Sequence, residues 1–141
     1  MAFTIKSLHE MDRDQCLAVI GHGGTELPVL LRAGRERAGE LPEEFAAEVD
    51  FRSVIRFETK MEDKECESGF FPTDDPAVSV IDGTVQNHLE IGPEHVLIDV
   101  RIQNGPEIVT FCSEDLRNTI PPLGTRLRAW VLGLSISPTF T

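Results

Sequence analysis

Between Glu48 and Lys60 the chain alternates for longer than any helix could tolerate. Val49, Phe51, Ser53, Ile55, Phe57 and Thr59 fall on one side, and Asp50, Arg52, Arg56, Glu58 and Lys60 on the other, with Val54 the one apolar residue out of phase. A period of two marks a half-buried antiparallel strand. The pattern returns at His95–Gln103, where Val96, Ile98, Val100 and Ile102 share a face. It returns again at Thr125–Ser137, with Leu127, Ala129 and Val131 on one face and Trp130, Leu132, Leu134 and Ile136 on the other. That last strand is apolar on both faces, so both must be covered. Leaving four such side chains in water would forgo about 1.5–3 kcal/mol each. The cover comes from the N-terminal half, or from a second copy in a homodimer formed through this last strand.

The remaining segments extend a mainly β plan. Cys16–Ile20 and Leu27–Leu31 are apolar runs joined by Gly21-His22-Gly23-Gly24-Thr25-Glu26, which predicts a hairpin with His22 exposed in its turn. A leading strand is expected at Phe3–Leu8, and residues 32–39 form a polar surface loop. Pro42 and the acids beside it suggest one helical turn over Leu41–Ala47. Residues 61–77 carry no periodicity and act as an acidic connector. Val78–Leu89 is a strand whose apolar phase shifts at Ile81-Asp82-Gly83, suggesting a bulge. Asn104-Gly105 supplies a tight turn into Glu107–Cys112. Ser113-Glu114-Asp115-Leu116 forms a helical turn capped by Ser113 and stopped by Pro121-Pro122. The expected fold is an antiparallel barrel or sandwich with one or two short helical turns. We expect one domain over 1–141, made of a β-rich half (1–60), the connector (61–77) and a second half (78–141).

Charge narrows the function. The 141 residues carry a net charge of −11, and neither half is basic. Nucleic-acid binders neutralise phosphates with clustered Lys and Arg, and an anionic bilayer also repels acid. Neither partner is expected, and a basic protein would be attracted. Arg101, Arg126 and Arg128 are the cations expected on exposed faces of the second half. The N-terminus has no apolar signal segment and no apolar run is long enough to span a bilayer, which leads us to expect a cytoplasmic protein. Cys16 and Cys112 lie in apolar stretches and are expected to be buried; Cys66 lies in the charged connector.

From Val78 to Pro138 the order is bulged strand, hairpin, strand, helical turn and long strand, the order of an OB-type barrel. Asp82-Gly83-Thr84-Val85, the inter-strand Gly105, Leu123-Gly124-Thr125-Arg126-Leu127 and Leu134-Ser135-Ile136-Ser137-Pro138 resemble the transport-associated OB (TOBE) modules. Such modules sit at the C-terminus of transporter ATPases and serve regulation or small-ligand binding. The resemblance therefore implies an OB-like second half and a small-ligand role. The first half has no Gly-x-x-x-x-Gly-Lys phosphate loop.

Motifs for catalysis are missing. Gly21-His22-Gly23-Gly24 is like an esterase oxyanion loop, but no Gly-x-Ser-x-Gly elbow accompanies it. His88 and His95 flank the loop Leu89–Glu94 and are the candidate metal ligands, short of the third rigid ligand a zinc site needs. Glu62, Asp63, Glu65, Asp74 and Asp75 form the acidic segment expected to contact a ligand or partner; their spacing does not fit a calcium loop. No cofactor is expected. The first expectation is a non-enzymatic binder of another protein, inhibitor- or immunity-like, with a basic partner. The alternatives are a small-ligand or oxyanion sensor built on the OB-like barrel, and an enzyme whose site is assembled across loops.

Overall fold

The computed structural model describes residues 3–60, 68–102 and 107–140. The first half supplies strands β1 (Thr4–Glu10), β2 (Cys16–His22) and β3 (Thr25–Leu31), the one-turn helix α1 (Arg35–Ala38), then β4 (Ala47–Asp50) and β5 (Ser53–Lys60). The second half supplies β6 (Gly69–Pro72), β7 (Val78–Glu90), β8 (Val96–Arg101), β9 (Ile108–Cys112), β10 (Arg126–Leu132) and β11 (Ser135–Pro138). One sheet runs β1-β2-β3-β11-β4; the other runs β5-β10-β7-β8-β9, with β6 also on β7. All pairings are antiparallel except β11 on β3. The fold is thus mainly β and antiparallel, with an OB-like second half.

Two long strands predicted from the alternation are each broken in two. Glu48–Lys60 divides into β4 and β5 around Phe51-Arg52, and Thr125–Ser137 divides into β10 and β11 at Gly133. They divide together because they pair with each other. β5 lies on β10, with Ser53 opposite Leu132, and β4 lies on β11, with Asp50 opposite Ser135. The result is one two-stranded ribbon that leaves the second sheet and enters the first. At the bend Gly133 has φ 70°, and a Cβ there would stand 3.1 Å from the Arg52 Cβ. The bend redirects Leu134 and Ile136, expected beside Trp130, into the core of the first sheet, where they are 4% and 1% exposed.

β10 is flanked by β5 and β7, and β11 by β3 and β4, so neither part of the last strand has an open edge. This corrects the expectation of a homodimer through that strand: both neighbours come from the same chain. Leu127, Ala129 and Val131 face inward at 1%, 0% and 0% exposure, as their alternation predicts. On the opposite face the Arg56 guanidinium lies 3.8 Å above the Trp130 ring, a cation–π contact. A register shift beside Trp130 skips Ile55, so Val54 pairs with Val131 and Ile55 is left exposed. Val54, out of phase in the sequence, is thereby brought back into phase.

Other departures are local. The helical turn forms at Arg35–Ala38, not over Leu41–Ala47, because Phe45 is drawn into an extended bridge with Phe3. Part of the expected connector, Gly69–Pro72, is a strand on β7. The bulge in β7 lies between Val85 and Asn87. Gly83 serves close approach, since a Cβ there would meet the Arg101 carbonyl oxygen at 2.5 Å. Ser113–Asn118 is a hydrogen-bonded turn and not a helix. Asn104-Gly105 and Cys66 lie outside the described residues.

The two halves repeat one plan about the ribbon: a three-stranded meander, a short connecting segment (the helix α1 in the first half, the turn Ser113–Asn118 in the second) and a long strand broken in two. Each first strand carries a register shift, at Ile5/Ser7 and at Val85/Asn87. Each meander opens with matching loop bonds, from Met11 N–H to the Gln15 carbonyl and from Ile91 N–H to the His95 carbonyl. Thr4 opposite Gly21 corresponds to Thr84 opposite Arg101, and Phe3 opposite Phe45 corresponds to Gly83 opposite Leu127.

Two outcomes follow from the ribbon. Gly133→Ala should lower unfolding stability in urea by about 1–2 kcal/mol, the usual cost of a left-handed backbone for an L side chain. Residues 78–141 alone should lack cooperative unfolding, because β10 loses β5 and β11 loses both its neighbours; a sharp transition for that fragment would show instead an independent domain.

Candidate functional site

Of the acidic residues expected to make contacts, Asp74 and Asp75 lie among the described residues. Glu62, Asp63 and Glu65 lie outside the described residues. Asp75 is used within its own turn: its carboxylate accepts the Ala77 N–H at 2.9 Å, and Thr73 Oγ1 donates to its carbonyl at 2.9 Å. Asp74 is an exposed residue of the same turn. His88 donates from Nε2 to the Pro121 carbonyl at 2.7 Å, while His95 Nε2 lies 2.5 Å from Glu114 Oε1. The two rings thus have separate partners, and among the described residues no group of three or more His, Cys, Asp or Glu is placed to hold a metal.

His22 corrects the hairpin reading. β2 runs through it, the turn is confined to Gly23-Gly24, both with positive φ, and the imidazole is 3% exposed. Strand alternation sends Gly21 outward and His22 inward, beside Phe3 at 4.9 Å and edge-on to Phe70 at 5.0 Å between ring centroids. Among the described residues neither ring nitrogen has a hydrogen-bond partner. Burial pushes its pKa below the usual 6.5, and the Glu107 charge opposes that shift.

The outer face of the second sheet brings several arginines together. Cross-strand register sets three rows: Arg126, Thr84 and Arg101; then Glu58, Arg128 and Asp82; then Arg56, Trp130 and Val80. Directly opposed residues share a face, so four arginines from three strands stand together with two carboxylates. Asp82 is the pivot. Its side chain is 5% exposed, Arg126 Nη2 donates to Oδ1, and Arg128 Nε donates to Oδ2 at 2.8 Å. A buried carboxylate is tolerable only when paired in this way. Both arginines have further interactions, and they remain 20% and 35% exposed. Arg101 is exposed and, like the Thr84 hydroxyl, has no side-chain hydrogen bond or ion pair among the described residues.

Thr84 and Arg101 continue the row of Arg126, and among the described residues neither has a side-chain hydrogen bond or ion pair. Guanidinium forks match the geometry of a tetrahedral oxyanion, and a hydroxyl between them adds another donor. The corresponding place in the first half is chemically different. There Thr4, Gly21 and Glu44 stand where Thr84, Arg101 and Arg126 stand, and they line an open cavity of about 500 Å³ with Lys6. The available sequence signal for the arginine face was Arg126-Leu127-Arg128 on an alternating strand. Asp82, the residue that draws them together, looked like part of a bulge.

No family model matches the chain, and no curated protein matches it. Among solved structures, the cytoplasmic molybdate-binding protein ModG, with molybdate bound, is similar at a TM-score of 0.50 and 15% identity. The match covers 95% of this chain and 91% of that one. The likeness extends through both halves and agrees with the OB-type resemblance of residues 78–138. It also corrects the expectation of a protein-recognition role with a protein partner: the protein of like fold binds a small oxyanion. No helix among the described residues is long and apolar enough to cross a membrane.

The buried imidazole yields a pH test. The unfolded chain gains a His22 proton as pH falls through about 6.5, whereas the folded chain resists it until the lowered folded pKa is reached. This contribution to stability is complete above 6.5 and declines as pH falls from there towards the folded value. Urea unfolding at a series of pH values should therefore lose stability on the acid side. His22→Leu should flatten that slope and raise neutral-pH stability by about 1 kcal/mol, as two unpartnered buried nitrogens are removed.

Proposed function

We propose that this protein binds a small tetrahedral oxyanion on the outer face of its second sheet and holds it without chemical conversion, in the cytoplasm. The observation that carries this reading is the convergence of Arg126 and Arg128 on the buried Asp82, with Thr84 and Arg101 continuing the same row. Asp82 lies beneath the guanidiniums and orients them, and the ligand approaches from the solvent side. The similarity in fold to a molybdate-binding protein supports the choice of ligand class.

Binding combines two effects. Oxygen atoms of the ligand accept charge-assisted hydrogen bonds from planar forks that are already oriented, which reduces the ordering cost. The ligand also offsets repulsion among neighbouring arginines. Solvent screening holds both contributions down, so binding should weaken as salt rises.

Isothermal calorimetry with molybdate, tungstate and sulfate at low ionic strength tests this reading. Saturable binding is expected for at least one of them. Arg126→Gln or Arg128→Gln should weaken it by about 10- to 100-fold, the scale of one charged hydrogen-bonding group. Arg117→Gln, on the turn after β9, should leave it unchanged, and thermal melts confirm that each variant is folded. Binding unaffected by either β10 substitution would place the site elsewhere.

A further inference from the structure

We propose that the cavity at the β2–β3 hairpin is a second binding site, which takes a small zwitterion of the α-amino-acid kind. It differs from the arginine face in place and in chemistry. Cross-strand register builds a row on the outer face of the first sheet: Thr4 stands opposite Gly21, and Gly21 opposite Glu26. The Phe3–Phe45 bridge brings Glu44 alongside Thr4, at the other end of the row. All four line the open cavity of about 500 Å³. Lys6 enters this row through a bulge. Ile5 pairs with Ile20 and Ser7 with Val19, which makes Lys6 the extra residue of β1. A bulge re-aims the side chain of such a residue.

The lysine stem lies across the gap left by Gly21, where a Cβ would stand 3.0 Å from Lys6 Cε and 2.7 Å from Thr4 Oγ1. Lys6 therefore crosses the middle of a row that has a carboxylate on each side. Among the described residues Lys6, Glu26, Glu44 and the Thr4 hydroxyl make no side-chain hydrogen bond or ion pair. The cavity also reaches His22, 3% exposed, whose ring nitrogens have no hydrogen-bond partner among the described residues. An apolar ligand would strip water from these groups and give nothing back, so the occupant is polar. The signs narrow it further. A simple anion would meet Glu26 and Glu44, and a simple cation would meet Lys6. A molecule with a carboxylate and an ammonium on one carbon meets each with its opposite. Its carboxylate accepts from Lys6 and the Thr4 hydroxyl, and its ammonium donates to the flanking carboxylates.

Amide chemical-shift titrations of the full chain with free glycine, acetate and methylammonium, at pH 7 and fixed ionic strength, test this site. Free glycine should shift the amides of Thr4 and Gly21–Thr25 saturably. It should bind about fivefold more tightly than either single-charge probe, the scale of one exposed charge contact. Lys6→Gln should weaken it by about the same factor, and so should the double variant Glu26→Gln with Glu44→Gln. Gly21→Ala, which crowds Lys6 and Thr4, should weaken it too. Unchanged amide positions in the second half show that each variant is folded. Acetate or methylammonium binding as tightly as free glycine overturns the inference. So does a glycine affinity that survives both Lys6→Gln and the double carboxylate variant, or the absence of any localised shift at the hairpin. Molybdate binding on the second sheet is measured separately, so either reading can fail without the other.

Discussion

The bend shared by two paired strands at Phe51-Arg52 and Gly133 is the constraint on which the rest of the structure depends. A sheet that continued straight through Glu48–Lys60 and Thr125–Ser137 would bury one face and leave Leu134 and Ile136 beside Trp130 in solvent. Because both strands turn together, their hydrogen bonds continue beyond the bend: Ser53 meets Leu132 before it and Asp50 meets Ser135 after it. The ribbon therefore belongs to both sheets, and each half of the chain completes the sheet of the other. Gly133 permits this because its φ of 70° suits glycine and because there is little room above Arg52.

The candidate site depends on the same arrangement. β10 is an interior strand of its sheet, flanked by β5 and β7, so both its edges are paired. The inward phase of Leu127, Ala129 and Val131 is decided by burial, which leaves Arg126 and Arg128 with no choice of direction. Asp82 then arrives from β7 in register with Arg128, and charge pairing within a poorly solvated layer holds the guanidiniums in place. Trp130, one row along, gives Arg56 an aromatic platform. A charged surface is thus ordered by the hydrophobic core beneath it.

Some of this was legible in the sequence. The inward set Val96, Ile98, Val100 and Ile102 is set by alternation, and so is the opposite orientation of Trp130 to Leu127, Ala129 and Val131. The OB-like order of the second half was also readable, since it rests on turns and strand lengths within consecutive residues. The bend was not, because a period of two runs on through it and nothing in Phe51-Arg52 announces a break. The skip of Ile55 was hidden for a related reason: a single apolar residue out of phase, Val54, looks like an exception until a partner strand shows the shift. His22 was misplaced because Gly21, Gly23 and Gly24 suggested a long loop, whereas two glycines suffice for the turn. The arginine face depends on register between strands distant in sequence, which local pattern does not specify. The acidity of the whole chain pointed away from it.

The repeated plan of the two halves has a consequence for how such a surface can arise. When an assembly is made from two copies of one short chain, every substitution occurs twice, at positions related by the symmetry axis. Here both halves lie in one chain, and each can change alone. Thr4 and Thr84 match, but Gly21 is the counterpart of Arg101, and Glu44 that of Arg126. Covalent joining lets one half carry arginines where the other has an open cavity with Glu44 at the corresponding place. The two halves thus present different residues at matching places of one scaffold.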